Sequence, residues 1–350
     1  MFMVVCFTGG GTLGHVYPAL AVHQELTKEA EYEGFWIGRT EEQAVIQDAG
    51  LKCYVIPTGK LRRYFSLRTI GDFFHVIRGI FASYRILKKT KPDVLFSKGG
   101  FVSVPPVFAA HLLKIPIISH ESDITPGLAT RINSRFSSRI CVPYPTGFDH
   151  LGKEKLVVTG NPVRRELVEA AKNPPVKESK QLNILVLGGS SGSGALNTLI
   201  AQTIDELTQW ATVIHQVGRS QELIAAQERY TPLAYIDSHL ADYLHNADLV
   251  ITRSGAGILE ELKLFGKAAL LLPLGRLTSR GEQEANARYL AEVGAAVVLY
   301  EPVTSDEFVA TVRKILSDAQ WRKDLGLALG AQSNAHAAAT ISALIIEWRK

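Results

Sequence analysis

Short apolar, β-branched runs recur along the chain and alternate with longer stretches of helical periodicity. Residues 3–8, 34–37, 94–97, 115–120 and 140–142 predict buried strands, with helical segments between most of them. Such alternation implies a parallel sheet covered on both faces. The pattern then restarts at residues 183–187 and continues through 212–216, 249–252, 268–272 and 296–299. Two Rossmann-like, doubly wound α/β halves are expected, with a hinge near Asn161. The boundaries fall at 1–161 and 162–332, and an Ala-rich terminal helix within 333–350 is expected to pack back on the first half.

Composition supports two domains rather than one. The chain has 350 residues, is 46% hydrophobic and 21% charged, and so exceeds the size at which one core usually keeps growing. A formal net charge of +4 is too small to call for nucleic acid but suits an acidic substrate or an anionic membrane surface. Cys6, Cys53 and Cys141 form no CxxC pair, which argues for a reducing compartment and against zinc. The apolar opening segment is too short for a signal sequence, and no apolar run reaches the roughly 18 residues of a spanning helix. The cytoplasm is the expected location, with any membrane contact peripheral.

Each half has a strand that runs into a glycine-rich turn and then a helix: Gly9-Gly10-Gly11-Thr12-Leu13-Gly14-His15 in the first, Gly188-Gly189-Ser190-Ser191-Gly192-Ser193-Gly194 in the second. Free N–H groups and the helix dipole make such a turn a phosphate site, although the glycines serve equally well as a tight connection. A dinucleotide reading is weak, because Gly38 rather than a carboxylate follows the next strand. Neither turn carries the P-loop lysine. His15, at the start of a helix expected over 16–30, is held where the dipole favours a neutral imidazole able to accept a proton.

The segment from Gly10 to Ala21, GGTLGHVYPALA, closely resembles the opening motif of the MurG family, bacterial transferases that add N-acetylglucosamine to lipid I. The resemblance continues through Ser97-Lys98-Gly99-Gly100-Phe101-Val102-Ser103, His120-Glu121-Ser122-Asp123, Thr159-Gly160-Asn161-Pro162-Val163-Arg164, Gly188-Gly189-Ser190, Arg253-Ser254-Gly255-Ala256 with Glu261, and Gln283 with Asn286. It implies a GT-B architecture, with two Rossmann-like domains facing a cleft. It also implies UDP-GlcNAc as donor, undecaprenyl-pyrophosphoryl-MurNAc-pentapeptide as acceptor, and a β-1,4 bond formed with inversion to give lipid II in peptidoglycan synthesis.

Inversion in one displacement needs a base for the muramoyl 4-hydroxyl and stabilisation of the departing diphosphate. His15 is the first candidate base and Glu121 the second. The resemblance places Thr12, Leu13, Gly14, Asp123, Arg164, Ser190, Ile236, Ala256, Glu261 and Gln283 at the donor. Glu261 would accept ribose hydroxyls, Ile236 would meet uracil through its backbone, and Gln283 would bind GlcNAc. Gly10, Gly11, Gly99 and Gly100 are expected at the acceptor pyrophosphate. No aspartates stand at D-x-D spacing, so no metal and no cofactor are expected, backbone amides carry the leaving-group charge, and activity should survive chelation. Leu13 stands where the family commonly has glycine and Asp123 where it has asparagine, while residues 191–194 depart from the usual Gln-Gly-Ala-Arg.

Residues 61–89 interleave aromatic and basic side chains. A helical face of Phe73, Ile77, Ile80, Phe81 and Tyr84 near Arg78, Arg85 and Lys88 would suit an anionic cytoplasmic membrane surface, or equally the chain's own sheet. Other cell-wall synthesis proteins are further expected partners. Competing functions are another UDP-sugar:lipid transferase of the same architecture, a UDP-GlcNAc 2-epimerase, and a silent nucleotide-sugar-binding scaffold.

Overall fold

The computed structural model describes residues 2–59, 67–175, 181–189, 192–219, 221–223, 225–236, 239–275 and 281–349, with their side chains except those of Leu13 and 67–71. The chain divides into two compact units, Met1–Arg165 with Asn334–Lys350, and Glu166–Ser333.

The first unit is built on seven strands: β1 (Met3–Thr8), β2 (Tyr32–Gly38), β3 (Lys52–Val55), β4 (Val94–Ser97), β5 (Ile117–His120), β6 (Arg139–Val142) and β7 (Leu156–Val158). Their order is β3-β2-β1-β4-β5-β6-β7, parallel throughout. β1 is central, and its alternate residues feed two cores. Met3, Val5 and Phe7 pack with Val16, Leu20, Leu26, Ile341 and Ile345 on one face. Cys6 packs with Phe35, Leu87, Leu95 and Val107 on the other. Burying each large side chain of this kind contributes about 1.5–3 kcal/mol, which is why a strand with both faces covered is apolar without interruption. Helix Ala337–Ile346 belongs to this unit through Ile341 and Ile345, and Asn334 Nδ2 anchors its approach by donating to Thr159 O at 2.8 Å.

The second unit has β8 (Leu182–Leu187), β9 (Ala211–Gln216), β10 (Tyr230–Leu233), β11 (Leu249–Thr252), β12 (Ala269–Leu271) and β13 (Val297–Val298), in the order β10-β9-β8-β11-β12-β13. Its core joins Ile184, Val186, Val213, Leu249, Ile251 and Leu270 to helix residues such as Ile200, Phe308 and Val312.

His215 on β9 is fully buried beside this core. Its Nδ1 lies 3.0 Å from Tyr230 Oη and its Nε2 lies 3.2 Å from Asn197 Oδ1. Asn197 Nδ2 donates to Val217 O, so Oδ1 accepts and the imidazole is neutral, with the proton on Nε2. Burial pushes its pKa from 6.5 down to about 4. A depressed folded-state pKa means that the stability is complete above the unfolded value and is lost as pH falls toward the folded one. The second unit should therefore lose about 2 kcal/mol between about pH 7 and pH 5. Denaturant melts at the two pH values measure this, and His215→Gln should flatten the dependence.

Candidate functional site

In both sheets the strand order reverses next to the central strand, between β1 and β4 and between β8 and β11. Helices leave such a pair toward opposite faces, so the loops following them part and leave a crevice at the strands' carboxyl ends. The predicted glycine turns occupy these two places.

In the first unit the turn after β1 meets the turn after β4 at backbone contact. A β-carbon on Gly100 (φ 76°) would stand 2.2 Å from Gly10 O and 3.1 Å from His15 Cδ2. Only glycine fits, and its lack of a side chain lets the imidazole lie against the Gly100 backbone. His15 is half-buried in the first turn of helix Leu13–Glu29, its N–H donating to Thr12 O at 3.1 Å. Thr12 and Gly14 beside it are exposed. The side chain of Leu13 lies outside the described residues.

The glycines of this turn differ from expectation. Gly11 N–H, expected to face a pyrophosphate, donates to Glu42 Oε1 at 2.8 Å, while Glu42 Oε2 accepts Arg39 N–H at 3.0 Å. Glu42 is 3% exposed. A β-carbon on Gly10 would come within 2.7 Å of that carboxylate, and one on Gly11 within 2.7 Å of Phe101. A carboxylate thus already satisfies the amide, and a phosphate at the same N–H would meet like charge. Gly99 N–H turns back to Ser97 Oγ at 3.4 Å. Gly10, Gly11, Gly99 and Gly100 let two loops and a carboxylate pack closely, and the Gly11 and Gly99 amides are committed within the protein.

Glu121 also departs from its expected part. Its Oε1 accepts Ser122 N–H (2.8 Å) and Asp123 N–H (3.2 Å), and its Oε2 accepts Gly127 N–H (3.0 Å) and Thr130 Oγ1 (2.5 Å). At 6% exposure, with both oxygens doubly occupied, this carboxylate folds the loop after β5 and has no lone pair left for a substrate hydroxyl. Asp123 is half-buried on the same loop, and Arg164 is half-buried with its guanidinium 5.6 Å from the Tyr17 ring centroid.

The second unit's turn is packed at Gly188 and at Gly192, where a β-carbon would stand 2.2 Å from Val217 O, but open at Gly189 and Gly194. Among the described residues, β-carbons on Gly189, Gly194, Gly255 and Gly257 would have nothing within 4 Å. Ser190 lies outside the described residues. Helix Gly194–Trp210 starts at this turn and helix Ala256–Phe265 starts across the switch, so two helix N-termini open at unfilled glycine faces, the arrangement that suits a diphosphate. Glu261 is half-buried in the second of these helices, and the neighbouring Glu260 is buried and paired with Lys263 at 2.6 Å.

Two side chains hold these loops. Arg253, 6% exposed, donates from Nε to Ser193 Oγ (2.8 Å) and from Nη1 to Leu272 O (2.8 Å) and Glu301 Oε1 (2.7 Å). Gln216 donates to Gly189 O (3.0 Å) and accepts Ile236 N–H (2.9 Å). The Ile236 N–H is therefore engaged, leaving its carbonyl for the backbone contact expected with uracil. Gln283 Oε1 accepts Leu274 N–H at 3.1 Å, so a sugar would meet the amide's NH2 end. Among the described residues no group of three or more His, Cys, Asp or Glu could hold a metal ion.

Residues 5–142 match the glycosyltransferase family 28 N-terminal domain and residues 183–341 its C-terminal domain. Over 312 residues, 87% of this chain and 88% of the relative, it is 42% identical to the UDP-N-acetylglucosamine–N-acetylmuramyl-(pentapeptide) pyrophosphoryl-undecaprenol N-acetylglucosamine transferase of Clostridium botulinum strain 657. The chain belongs to the MurG family. The crystal structure of MurG from Acinetobacter baumannii superposes with a TM-score of 0.80 at 26% identity, covering 99% of each chain. UDP-GlcNAc 2-epimerase from Neisseria meningitidis, at 15% identity and a TM-score of 0.71 over 99% of this chain and 100% of that one, shares the fold alone.

For this MurG-family chain the GT-B assignment holds, with one parallel sheet in each unit. Sequence reasoning gave no role to Glu42, Lys98, Gln216 or Arg253. Glu42 had a local signal, standing at the third position of helix Thr40–Asp48, where a capping carboxylate is favoured. Lys98 and Arg253 follow strand ends and Gln216 closes β9, but their burial depends on tertiary neighbours.

Proposed function

We infer that this chain transfers GlcNAc from UDP-GlcNAc to the 4-hydroxyl of the muramoyl residue of lipid I, giving lipid II and UDP. The observation that carries this reading is the 42% identity over 87% of the chain to a transferase so named, together with an imidazole at one switch point and open glycine faces at the other. The acceptor oxygen attacks C1 of GlcNAc opposite the UDP, the C1–O bond to the β-phosphate breaks with its electron pair leaving on UDP, and the hydroxyl proton passes to His15. The helix N-termini at Gly194 and Ala256 stabilise the departing charge, Glu261 takes the ribose hydroxyls, and Thr12, Gly14, Asp123, Arg164 and the Gln283 amide complete the donor contacts. Incubation of labelled UDP-GlcNAc with a lipid I analogue, followed by linkage analysis, tests this. A β-1,4-linked disaccharide is expected, and release of free GlcNAc epimer or no transfer would overturn it.

The membrane part of the reading rests on helix Leu67–Thr90. No helix of the described residues is long and apolar enough to cross a membrane. Phe73, Phe74 and Phe81 are 58%, 60% and 66% exposed, whereas Ile77, Ile80 and Tyr84 are half-buried, Tyr84 against the unit's core. Of the expected apolar face, then, Phe73 and Phe81 are outward. Phe74, Arg78, Phe81, Arg85 and Lys88 recur at helical spacing along one exposed stripe, alternating rings that enter the headgroup region with cations that meet anionic lipid. The preceding residues 61–66 lie outside the described residues. At about 1 kcal/mol per basic residue, reversing Arg78, Arg85 and Lys88 to glutamate should weaken binding to anionic liposomes by at least about a hundredfold in a sedimentation assay. Binding that does not change would return the stripe to ordinary solvated surface.

A further inference from the structure

Lys98 follows the last residue of β4, yet its side chain is 1% exposed. Its backbone N–H donates to Thr8 O at 2.8 Å, and its Cβ lies 3.1 Å from where a β-carbon on Gly9 would stand, so the stem runs beneath the first glycine turn. The ammonium donates to Ser122 Oγ in the loop after β5. Ser122 is fixed in turn by Asn161, whose Nδ2 donates to Ser122 O at 3.0 Å, and by Glu121. One buried side chain therefore spans two loops at the switch point of the first unit.

Charge explains why a lysine stands there. Burial disfavours the charged ammonium, and Glu121 and Asp123 from the loop act against it in the sense that favours the cation. On the other side burial holds His120 neutral and the Lys98 cation adds to that effect, with His120 Nε2 set against Gly160 O at 3.0 Å. Removing Lys98 would take away a cation on which both Glu121 and Asp123 act, at the end of the sheet where the inferred acceptor would arrive. A methionine of similar length would bury more cheaply, so packing alone does not account for the residue.

We propose that Lys98 is a positioning residue for glycosyl transfer, whose buried ammonium offsets the charge of Glu121 and Asp123 and ties their loop to the first turn, so that a pyrophosphate-bearing acceptor can approach the first unit. It rests on the function inferred above. It also bears on Asp123, the carboxylate that departs from the family's usual asparagine, because that carboxylate and the Lys98 ammonium attract one another.

The test is a cycle of Lys98→Gln, which keeps a donor for Ser122 but removes the charge, Asp123→Asn, and the double variant, assayed with a lipid I analogue. Lys98→Gln should raise the acceptor KM by about tenfold or more with a smaller change in kcat, and adding Asp123→Asn should recover much of that loss. Burial lowers the Lys98 pKa to about 8, so kcat/KM of the unaltered chain should fall above that pH and the fall should be absent in Lys98→Gln. Effects that simply multiply, or an alkaline fall that persists, would overturn the proposal. Should Lys98→Gln not fold, Asp123→Asn alone decides: losing one attraction must move the alkaline fall to lower pH, and a fall that stays in place overturns it. An unaltered chain that transfers no GlcNAc would remove the function reading and this proposal together, whereas an active chain without coupling removes only the latter.

Discussion

Replacement of His15 by alanine is expected to lower kcat for GlcNAc transfer by about 10²–10⁴-fold, the usual worth of a positioned general base, with donor KM changing by less than about threefold. Two features single His15 out. Its ring lies against Gly100, where a β-carbon would come within 3.1 Å of Cδ2, so the imidazole is set by backbone rather than by a mobile neighbour. The rival carboxylate, Glu121, spends both oxygens on four donors in its own loop. Glu121→Gln should accordingly act differently, lowering the melting temperature along with activity, because an amide can accept on one side only and leaves buried N–H groups without partners. Single-turnover measurements separate the two. Should His15→Ala turn over at the unaltered rate while Glu121→Gln keeps full stability and loses chemistry, the assignments must be exchanged.

The parallel sheets were legible in the sequence because their central strands are buried on both faces. β1, β4 and β11 coincide with the apolar runs that predict them. The strands that escaped notice are edges. β3, Lys52–Val55, mixes exposed and half-buried positions. β10, Tyr230–Leu233, contains Pro232, which is tolerated where no partner needs the missing N–H. An edge strand needs no continuous apolar run, so periodicity does not reveal it.

The candidate site was legible in its glycines and only partly in their use. Gly9–Gly14 and Gly188–Gly194 give the same sequence signal, a strand end opening a helix. Glu42 and Phe101 fill the first turn, whereas nothing among the described residues stands over Gly189 or Gly194. Whether the first turn is filled is decided by residues 31 and 90 positions from Gly11, and no local motif carries that information. Lys98 shows the same limit from the other side, since a lysine after a strand reads as exposed until the loops folded around it are known.

Arg253→Met should produce the largest stability loss in the second unit together with a loss of donor affinity. The guanidinium joins Ser193 in the turn after β8, the carbonyl of Leu272 at the end of β12, and Glu301 just beyond β13. Removing it leaves the Glu301 carboxylate and buried oxygens without their cation, a cost of about 3–5 kcal/mol, visible as a lower denaturant midpoint. Because Ser193 precedes the helix expected to receive the diphosphate, donor KM should rise by about tenfold or more, equivalent to ~1.4 kcal/mol. Arg253→Lys distinguishes the two effects. A single ammonium can keep the charge pair with Glu301 but lacks the planar fork that reaches Ser193 at the same time. That variant should therefore regain much of the stability while its donor KM stays high. If lysine restores both, the arginine serves only as a counter-charge. If methionine costs less than about 1 kcal/mol and leaves donor KM unchanged, the junction at Arg253 does not hold the donor turn in place.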